Sequence, residues 1–329
     1  MFIAHALHAG IHPVLALHLL LLPMNAYRPM LRSSTVVLDT PCPRQPIVFE
    51  PMRHSVCLLT AFLVACSTAS SPAPWQPRLH GDAIVLLGEV HDNAGLHRLR
   101  LEALRRAFAA GWRPAIVLEQ FDRERQADID RARRERPTDA QHVIDAAGGD
   151  GWDWRFYRPF VELALTYDVP LIAANLSNAD TAKVVRSGTT AVFDSAAAAA
   201  LGLDRDFAAD WQQAQEHEID LGHCGALPAS LWPRMARAQF ARDAVMAQAI
   251  RAHEARGVVL LAGNGHTRRD LGVPRWLDRG SEPGRIVAIG FVEDSDDSTP
   301  AAAFDAVVRA AAAERADPCA GFVAPRVGG

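Results

Sequence analysis

The chain has 329 residues, of which 49% are hydrophobic and 22% are charged, and its formal net charge is −4 at pH 7. This length and apolar content are sufficient for one large domain with a buried core. The acidic balance argues against non-specific nucleic-acid binding, which needs an excess of positive charge.

Residues from Met52 onward have the layout of a bacterial secretion signal. A basic residue, Arg53, precedes an apolar run over 56–64, and the segment ends in Ala65-Cys66. In a lipobox, small residues before the cysteine fit the signal peptidase, and the cysteine thiol takes the lipid. The alternative is a buried core helix or strand over the apolar run, since its length alone is ambiguous. The basic flank and the Ser-, Ala- and Pro-rich residues that follow favour the lipobox.

The N-terminal region therefore divides into three predicted parts. We predict a signal peptide over 52–65, lipidation of Cys66 and a flexible tether over 66–78. Residues 1–51 differ in composition from the rest, and we interpret them as a mis-annotated upstream segment because a methionine stands where a signal peptide would begin. A membrane-active segment over 3–22 is the alternative.

A lipidated N-terminus determines the expected location of the protein. Acyl chains attach a protein to a membrane without a transmembrane helix. Ser67 follows the lipidated cysteine, and in a Gram-negative host the lack of Asp at this position favours the outer membrane. We expect a lipid-anchored protein of the cell envelope, attached to the outer membrane and facing the periplasm.

Two cysteines remain after this processing, Cys224 and Cys319. Because the compartment is oxidising, we predict that they form a disulfide that fastens the C-terminal tail to the body of the domain. The alternative is a Cys224 thiolate that acts as a metal ligand beside His223.

Five short apolar runs, separated by helical patterns, are predicted to be β-strands. They cover residues 83–87, 115–118, 169–173, 257–261 and 285–291. Strands that alternate with helices are typical of α/β layer folds. We therefore predict a three-layer α/β fold with a mainly parallel central sheet and a large helical insertion.

Two connections between these strands are too long for simple crossovers. They are predicted to be helical insertions at about 120–168 and 176–256. A terminal helix is predicted over about 300–315, and the whole of 79–329 is expected to form a single domain.

Polar residues follow three of the predicted strands. Glu89 and His91 follow the first strand, Glu119 the second and His266 the fourth. Ligands of open α/β sheets bind beyond the carboxyl ends of the strands, so these side chains should converge on one crevice. Two carboxylates and two imidazoles can hold a divalent metal ion or work as an acid–base set. Each residue alone is more typical of an ion pair or a helix cap, but their common position favours a site.

Further polar residues could support this site from predicted helices. Arg242-Asp243 could supply a cation or an anion clamp, and the alternative is a surface ion pair within the helix. His97, in the helix after the first strand, could face either the crevice or solvent.

Several sequence motifs occur in a fixed order between about residues 83 and 291. They are Leu87-Gly88-Glu89-Val90-His91-Asp92-Asn93, Val117-Leu118-Glu119-Gln120-Phe121, Trp152-Asp153-Trp154 with Tyr157-Arg158-Pro159, Ala173-Ala174-Asn175, Ala238-Gln239-Phe240-Ala241-Arg242-Asp243, Gly263-Asn264-Gly265-His266 and Gly272-Val273-Pro274-Arg275. Together they resemble the ChaN-like family, a group of haem-binding bacterial lipoproteins linked to iron uptake.

The resemblance implies a function and partners. It implies an α/β core with a helical insertion that binds haem, as a stacked pair within a homodimer, with an outer-membrane haem or iron receptor as a possible partner. The group is also distantly similar to the Tiki/TraB metalloproteases and the erythromycin esterases, which are hydrolytic. Glu89, Glu119 and His266 match that wider pattern, so a metal-dependent hydrolase with Glu89 or Glu119 as the general base is the alternative function.

Haem would need an axial ligand from this chain. Tyr157 and His223 are the candidates, with Arg242 as a further cofactor-binding residue and His217 as a third candidate ligand. The alternatives are a half-buried aromatic at a helix start for Tyr157, an exposed loop residue for His223 and a solvated helix face for His217. A non-catalytic envelope scaffold is a third possible function, but it leaves the polar crevice unexplained.

Overall fold

The structure is a computed structural model. It describes residues 78–277, 284–294, 296, 300–317 and 319–320. The predicted upstream segment, signal peptide, lipidated Cys66 and nearly all of the tether lie outside the described residues, and these assignments stay predictions.

Strands and helices alternate along the described residues, as the sequence predicted. The strands are β1 Ile84–Leu87, β2 Ala115–Asp122, β3 Leu171–Asn175, β4 Val258–Leu261, β5 Ile286–Glu293 and β6 Ala306–Ala310. The α-helices are α1 Ala94–Ala109, α2 Gln126–Glu135, α3 Ala140–Ala147, α4 Trp154–Thr166, α5 Asn178–Ser187, α6 Ser195–Leu201, α7 Ala209–Gly222, α8 Trp232–Arg251, α9 Asn264–Thr267 and α10 Pro274–Leu277.

All of the described strands belong to one parallel sheet. Its order is β3-β2-β4-β1-β5-β6, so β4 lies between β2 and β1 although it follows both in the chain. This order places the carboxyl ends of β1, β2 and β4 side by side. The predicted α/β fold with a parallel sheet and a helical insertion is confirmed.

The strands are apolar along their whole length because the sheet is covered on both faces. Ile84 and Leu86 pack into a core that includes Phe240 of α8 and Trp276 of α10. The alternate residues Val85 and Leu87 point to the opposite face, since side chains alternate along a strand, and they are buried as well. Among the described residues, no helix is both long enough and apolar enough to cross a membrane.

The predicted helix over about 300–315 is wrong. A single 3-10 turn, Ala301–Ala303, precedes strand β6, which pairs in parallel with β5. The alanine-rich composition favours a helix, but a helix here would leave the backbone groups of β5 without a partner at the sheet edge. Phe304 packs over Gly290 of β5, where a Cβ would lie 2.6 Å from its ring.

The C-terminal tail is fastened to the domain at two points. Arg315 forms ion pairs with Asp92, in the loop after β1, and with Glu293 at the end of β5. The predicted disulfide between Cys224 and Cys319 is present, with the two Cα atoms 5.7 Å apart. The tail therefore joins the end of β1 to the end of α7.

Loss of this disulfide should destabilise the protein. Cys224 and Cys319 are separated by 95 residues in the sequence, and a crosslink over a long loop restricts the unfolded chain, which is typically worth about 2–4 kcal/mol. The double variant Cys224→Ser/Cys319→Ser should lose free energy of unfolding of this order in a urea titration. A reducing agent should lower the stability of the wild type and leave the variant unchanged. Equal stability of the oxidised wild type and the variant would contradict the prediction.

Candidate functional site

The polar residues predicted at the strand ends do converge. Glu89 follows β1, Glu119 lies within β2, and His266 lies on α9 just beyond β4. Gly263 lies between β4 and α9 and has no side chain to separate His91 from Glu119. A Cβ there would lie 3.1 Å from the His91 ring and 3.7 Å from the Glu119 carboxylate. We call Glu89, His91, Glu119 and His266 the strand-end cluster. They form two groups, one centred on Glu89 and one on His266.

Glu89 is the centre of the first group, and its carboxylate is fully buried. The guanidinium of Arg100, also fully buried, donates to one oxygen. His91 Nδ1 lies 2.5 Å from the other oxygen, and the Tyr157 hydroxyl donates to that same oxygen over 2.7 Å. Burial alone would raise the Glu89 pKa, but the Arg100 charge and the hydrogen bond to His91 outweigh it and hold the pKa well below its usual range. Glu89 is therefore a carboxylate at neutral pH.

His97 is buried within this group and does not face solvent. Its Nε2 atom donates to the backbone oxygen of His91 over 2.9 Å, and its Nδ1 atom accepts from Arg100 over 2.9 Å. Burial and the Arg100 charge lower the His97 pKa to about 4. His97 is therefore a neutral ring that holds Arg100 against Glu89.

His266 is the centre of the second group. Its Nδ1 atom lies 2.6 Å from an oxygen of Asp243 on α8, and its Nε2 atom lies 3.5 Å from Glu119. The Glu119 carboxylate also accepts from the backbone amide of Gly263 over 2.8 Å. Asp243 therefore pairs with His266, a role that differs from both alternatives predicted for Arg242-Asp243.

Both ends of the His266–Asp243 pair titrate at raised pKa values. Burial raises the Asp243 pKa to about 6, even with His266 beside it. Burial would lower the His266 pKa, but the charges of Glu119 and Asp243 outweigh it and raise the pKa above the usual value of 6.5. The pair therefore holds protons near neutral pH, where acid–base chemistry needs them.

The predicted divalent-metal site at Glu89, His91, Glu119 and His266 is not supported. Within the described residues, no group of three or more His, Cys, Asp or Glu side chains is arranged to hold a metal ion. The physical reason lies in the pairing: Arg100 already neutralises Glu89, and Glu119 is engaged with His266 and a backbone amide. The four side chains therefore satisfy one another instead of leaving an open set of ligands.

Arg242 lies within electrostatic reach of this cluster and binds side chains of α5. Its Nε atom donates to the Thr181 hydroxyl over 3.2 Å, and a terminal nitrogen donates to the Asn178 side chain over 2.9 Å. Burial lowers the Arg242 pKa, and nearby carboxylates, Glu119 first among them, act against this effect. Arg242 thus contributes a positive charge to the cluster while it fixes α8 to α5.

The two predicted haem ligands lie in different places. Tyr157, on α4, is buried in the strand-end cluster, where burial and the Glu89 charge strongly raise its pKa. His223 lies at the end of α7 and is 5% exposed. The structure therefore does not bring these two side chains together at one site.

His223 has an unusual hydrogen-bonding state. Its Nδ1 atom lies 2.6 Å from the backbone oxygen of Ile219, and since a carbonyl only accepts, Nδ1 carries the proton. Its Nε2 atom is buried and forms no hydrogen bond within the described part of the chain. Burial lowers the His223 pKa, so the ring is neutral and Nε2 keeps a lone pair.

Sequence reasoning missed Arg100 and Gln120. Arg100 lies on the buried stripe of α1, four residues from both Leu96 and Leu104. A charged residue within an apolar stripe is a signal for a buried ion pair, and it could have been found. Gln120, on β2, donates to Glu89 over 3.3 Å. Its position directly after Glu119, at the end of a predicted strand, is the signal that could have indicated this role.

Residues 76–277 match the family described as "Haem-binding uptake, Tiki superfamily, ChaN". The chain belongs to this family. The resemblance predicted from the motifs is confirmed, and the match covers the sheet from β1 to β4 together with both helical insertions. No curated protein matches the ChaN-family chain described here.

The solved structure of one ChaN protein agrees with the family at the level of the fold. The structure describing cofacial heme binding to ChaN of Campylobacter jejuni is 19% identical, has a TM-score of 0.57, and is matched over 70% of this chain and 87% of that chain. The type III effector HopBA1 is 14% identical with a TM-score of 0.38, over 70% and 88% of the two chains. The erythromycin esterase EreC is 15% identical with a TM-score of 0.35, over 66% and 72%. The last two similarities are too weak to carry a functional argument.

The raised pKa values predict how stability depends on pH. A group whose folded pKa lies above its unfolded value stabilises the fold at low pH and loses that contribution as pH rises. Both Asp243 and His266 are of this kind. Relative to the variant Asp243→Asn/His266→Gln, the wild type should lose stability from about pH 4 to pH 6 through Asp243, and further above about pH 6.5 through His266, by at most about 1.4 kcal/mol per pH unit for each proton.

Urea titrations of both proteins between about pH 4 and pH 8 would measure this difference. The double variant replaces both titrating side chains, so that neither is left to titrate without its partner. A stability difference that stays constant, or that grows in favour of the wild type as pH rises, would contradict the prediction.

Proposed function

We propose that this ChaN-family protein is a lipid-anchored, haem-binding protein of the cell envelope that takes part in haem or iron acquisition. The family match, whose description names haem-binding uptake, is the main support. The solved ChaN of Campylobacter jejuni, described with cofacial heme binding, is consistent with it. Anchoring through Cys66, a homodimer and exchange with an outer-membrane receptor belong to the same proposal.

His223 is the observation in this chain that carries the proposal. Histidines that bind metals usually donate one ring N–H to a backbone carbonyl or carboxylate, which orients the other nitrogen toward the metal. The Nδ1 atom of His223 makes this bond to Ile219, and its Nε2 atom has no hydrogen-bond partner among the described residues. A neutral imidazole nitrogen is one of the axial ligands that haem iron accepts. The residue therefore fits the role of haem ligand.

The corner between α7 and α8 provides apolar surface near this ligand. Ile219, Leu227 and Ala236 form a small apolar cluster there, against which Trp232 packs. Leu221, on the last turn of α7, is 51% exposed and is the large hydrophobic side chain left in solvent among the described residues. Porphyrin is largely apolar, so burial of this surface would favour its binding. Because His223 itself is covered, we expect the corner to open when haem binds.

Tyr157 fits the role less well in this conformation. Its hydroxyl proton is donated to Glu89, and the neighbouring carboxylate raises its pKa. A tyrosine bound to haem iron binds as the phenolate, so binding would require the loss of this hydrogen bond. Tyr157 is instead a neutral donor that stabilises the Glu89 carboxylate.

A haemin titration followed by absorbance tests the proposal and the ligand together. The wild type should show a saturable shift of the Soret band, and His223→Ala should weaken haemin binding about tenfold or more, because an iron–ligand bond is lost. His217→Ala is the matched control, since His217 lies on the same helix and is exposed. Tyr157→Phe should bind haemin as the wild type does.

Absence of any Soret shift would overturn the haem proposal. A shift that is kept in His223→Ala and lost in Tyr157→Phe would keep haem binding but move the ligand to the strand-end cluster.

Acid–base hydrolysis is a second candidate function, and a specific observation favours it. The imidazoles of His91 and His266 keep 17% and 13% exposure, while the carboxylates paired with them, Glu89 and Asp243, are buried beneath. A buried carboxylate orients an imidazole for acid–base chemistry. Asp243 does this at Nδ1 of His266, whose Nε2 atom lies 3.5 Å from Glu119, so the ring can exchange a proton with that carboxylate. Because the cluster lacks an open set of metal ligands, this candidate differs from the metal-dependent hydrolase that the sequence suggested.

Turnover of p-nitrophenyl esters would distinguish these alternatives. A metal-independent hydrolase should keep its rate in EDTA and should lose at least about 100-fold in kcat in His266→Gln, since general-base catalysis typically contributes that much. His142→Gln, which changes a histidine outside the cluster, should leave kcat unchanged. Loss of activity in EDTA would favour the metal-dependent alternative, and an equal rate in His266→Gln would exclude this cluster as the site.

A further inference from the structure

A cavity lies at the start of α7, and its lining includes neither the strand-end cluster nor His223. It has a volume of about 390 Å³ and opens between the start of α7 and the segment after α9. Its lining combines positive and aromatic side chains. The positive ones are Arg205, Arg269 and Arg275, the aromatic ones are Phe207 and Trp211, and Asp206 and Ala208 complete the lining.

Two of its arginines lie over aromatic rings. The guanidinium of Arg275 lies 4.7 Å from the centroid of Trp211. The guanidinium of Arg205 lies 5.9 Å from the centroid of Phe207 and 5.6 Å from that of Trp276. A ring contact restricts the orientation of a guanidinium and leaves N–H groups available to an oxyanion. The Nε atom of Arg205 donates to the backbone oxygen of Gly202 over 3.1 Å, so its terminal nitrogens are the groups that could bind the oxyanion.

The charge of these two arginines is not compensated by ion pairs. Within the described residues, neither Arg205 nor Arg275 forms an ion pair, although the charge of Arg275 helps to lower the pKa of Asp270, which itself pairs with Arg268. Arg269, by contrast, is neutralised by Asp305, with nitrogen–oxygen distances of 2.6–2.9 Å. Asp206 adds one negative charge, so the lining side chains carry more positive than negative charge.

This combination selects a class of ligand. A planar oxyanion such as a carboxylate matches the two parallel N–H groups of a guanidinium. The half-buried ring of Phe207 supplies an apolar wall next to the arginines. Small-molecule sites commonly pair such apolar walls with a few placed polar groups, and the volume suits a small organic molecule.

We propose that this cavity binds an organic anion in which a carboxylate is attached to a flat apolar body, with Arg205 and Arg275 as the carboxylate-binding residues. The site goes beyond the proposed haem ligand His223 and does not depend on it. Two sources share this chemistry: a free aromatic carboxylate, or the propionate edge of a porphyrin.

Isothermal titration of the full-length protein with 2-naphthoate tests the proposal. The wild type should bind saturably, and Arg275→Gln and Arg205→Gln should each weaken binding about tenfold, because each removes a charge-assisted pair. Arg237→Gln is the matched control, since this arginine is exposed on α8 outside the cavity. The neutral analogue 2-naphthylmethanol should bind at least about tenfold more weakly than the acid.

The outcomes separate the proposal from its rivals. No saturable binding, equal binding of the neutral alcohol, or unchanged affinity in both cavity variants with an unchanged thermal midpoint would each overturn it. Competition by haemin, but not by haemin dimethyl ester, would identify the porphyrin edge as the source of the carboxylate. Simultaneous binding of haemin and 2-naphthoate would identify a separate ligand. Because the naphthoate readout needs no haem, failure of the haem proposal would leave this test intact.

Discussion

The buried ion pair between Glu89 and Arg100 is the interaction on which the strand-end cluster depends. Both side chains are fully buried, and a buried charge without a partner would strongly destabilise the fold, typically by about 3–5 kcal/mol when one member is removed. The neighbours of the pair are arranged accordingly. His97 is kept neutral to accept from Arg100, and Tyr157 and Gln120 donate to Glu89. The end of β1 is therefore joined to α1, α4 and β2 by one polar network.

The strand ends also require glycine at two positions, because neighbouring side chains leave no room for a Cβ there. Gly88 lies against the side chains of Asn264 and Thr267, which a Cβ would contact, and Gly263 lies against the ring of His91. Asn264 in turn donates to the backbone of Phe291 in β5. The glycines at this edge let three neighbouring strands bring their polar residues together, which a larger side chain at either position would prevent.

Most of this arrangement could be predicted from the sequence, and the exceptions have physical causes. Parallel strands end at one edge of a sheet, so Glu89, Glu119 and His266 could be placed together without knowledge of the strand order. Arg100 was not found because a charged residue in a helix usually faces solvent. The strand β6 was not found because alanine-rich residues favour a helix, and only the exposed edge of β5 opposes that preference. The structure does not support the metal prediction, because ligand types alone do not show whether the side chains are already paired with one another.

The strand-end cluster and His223 lie on different parts of the fold, which explains how an enzyme-like cluster and a haem-binding function can occur in one protein. The cluster is built on the ends of β1, β2 and β4, where every carboxylate is paired and the sheet holds the groups rigidly. His223 lies at the end of α7, where its ring is fixed by a single hydrogen bond and the next residue, Cys224, is bonded to the C-terminal tail. A covered side chain on a helix end can move when a large planar molecule enters, whereas the paired groups at the sheet cannot move without leaving charges unsatisfied. Haem binding at the helical insertion would therefore leave the strand-end cluster in place, so the two can be tested by separate variants of one chain.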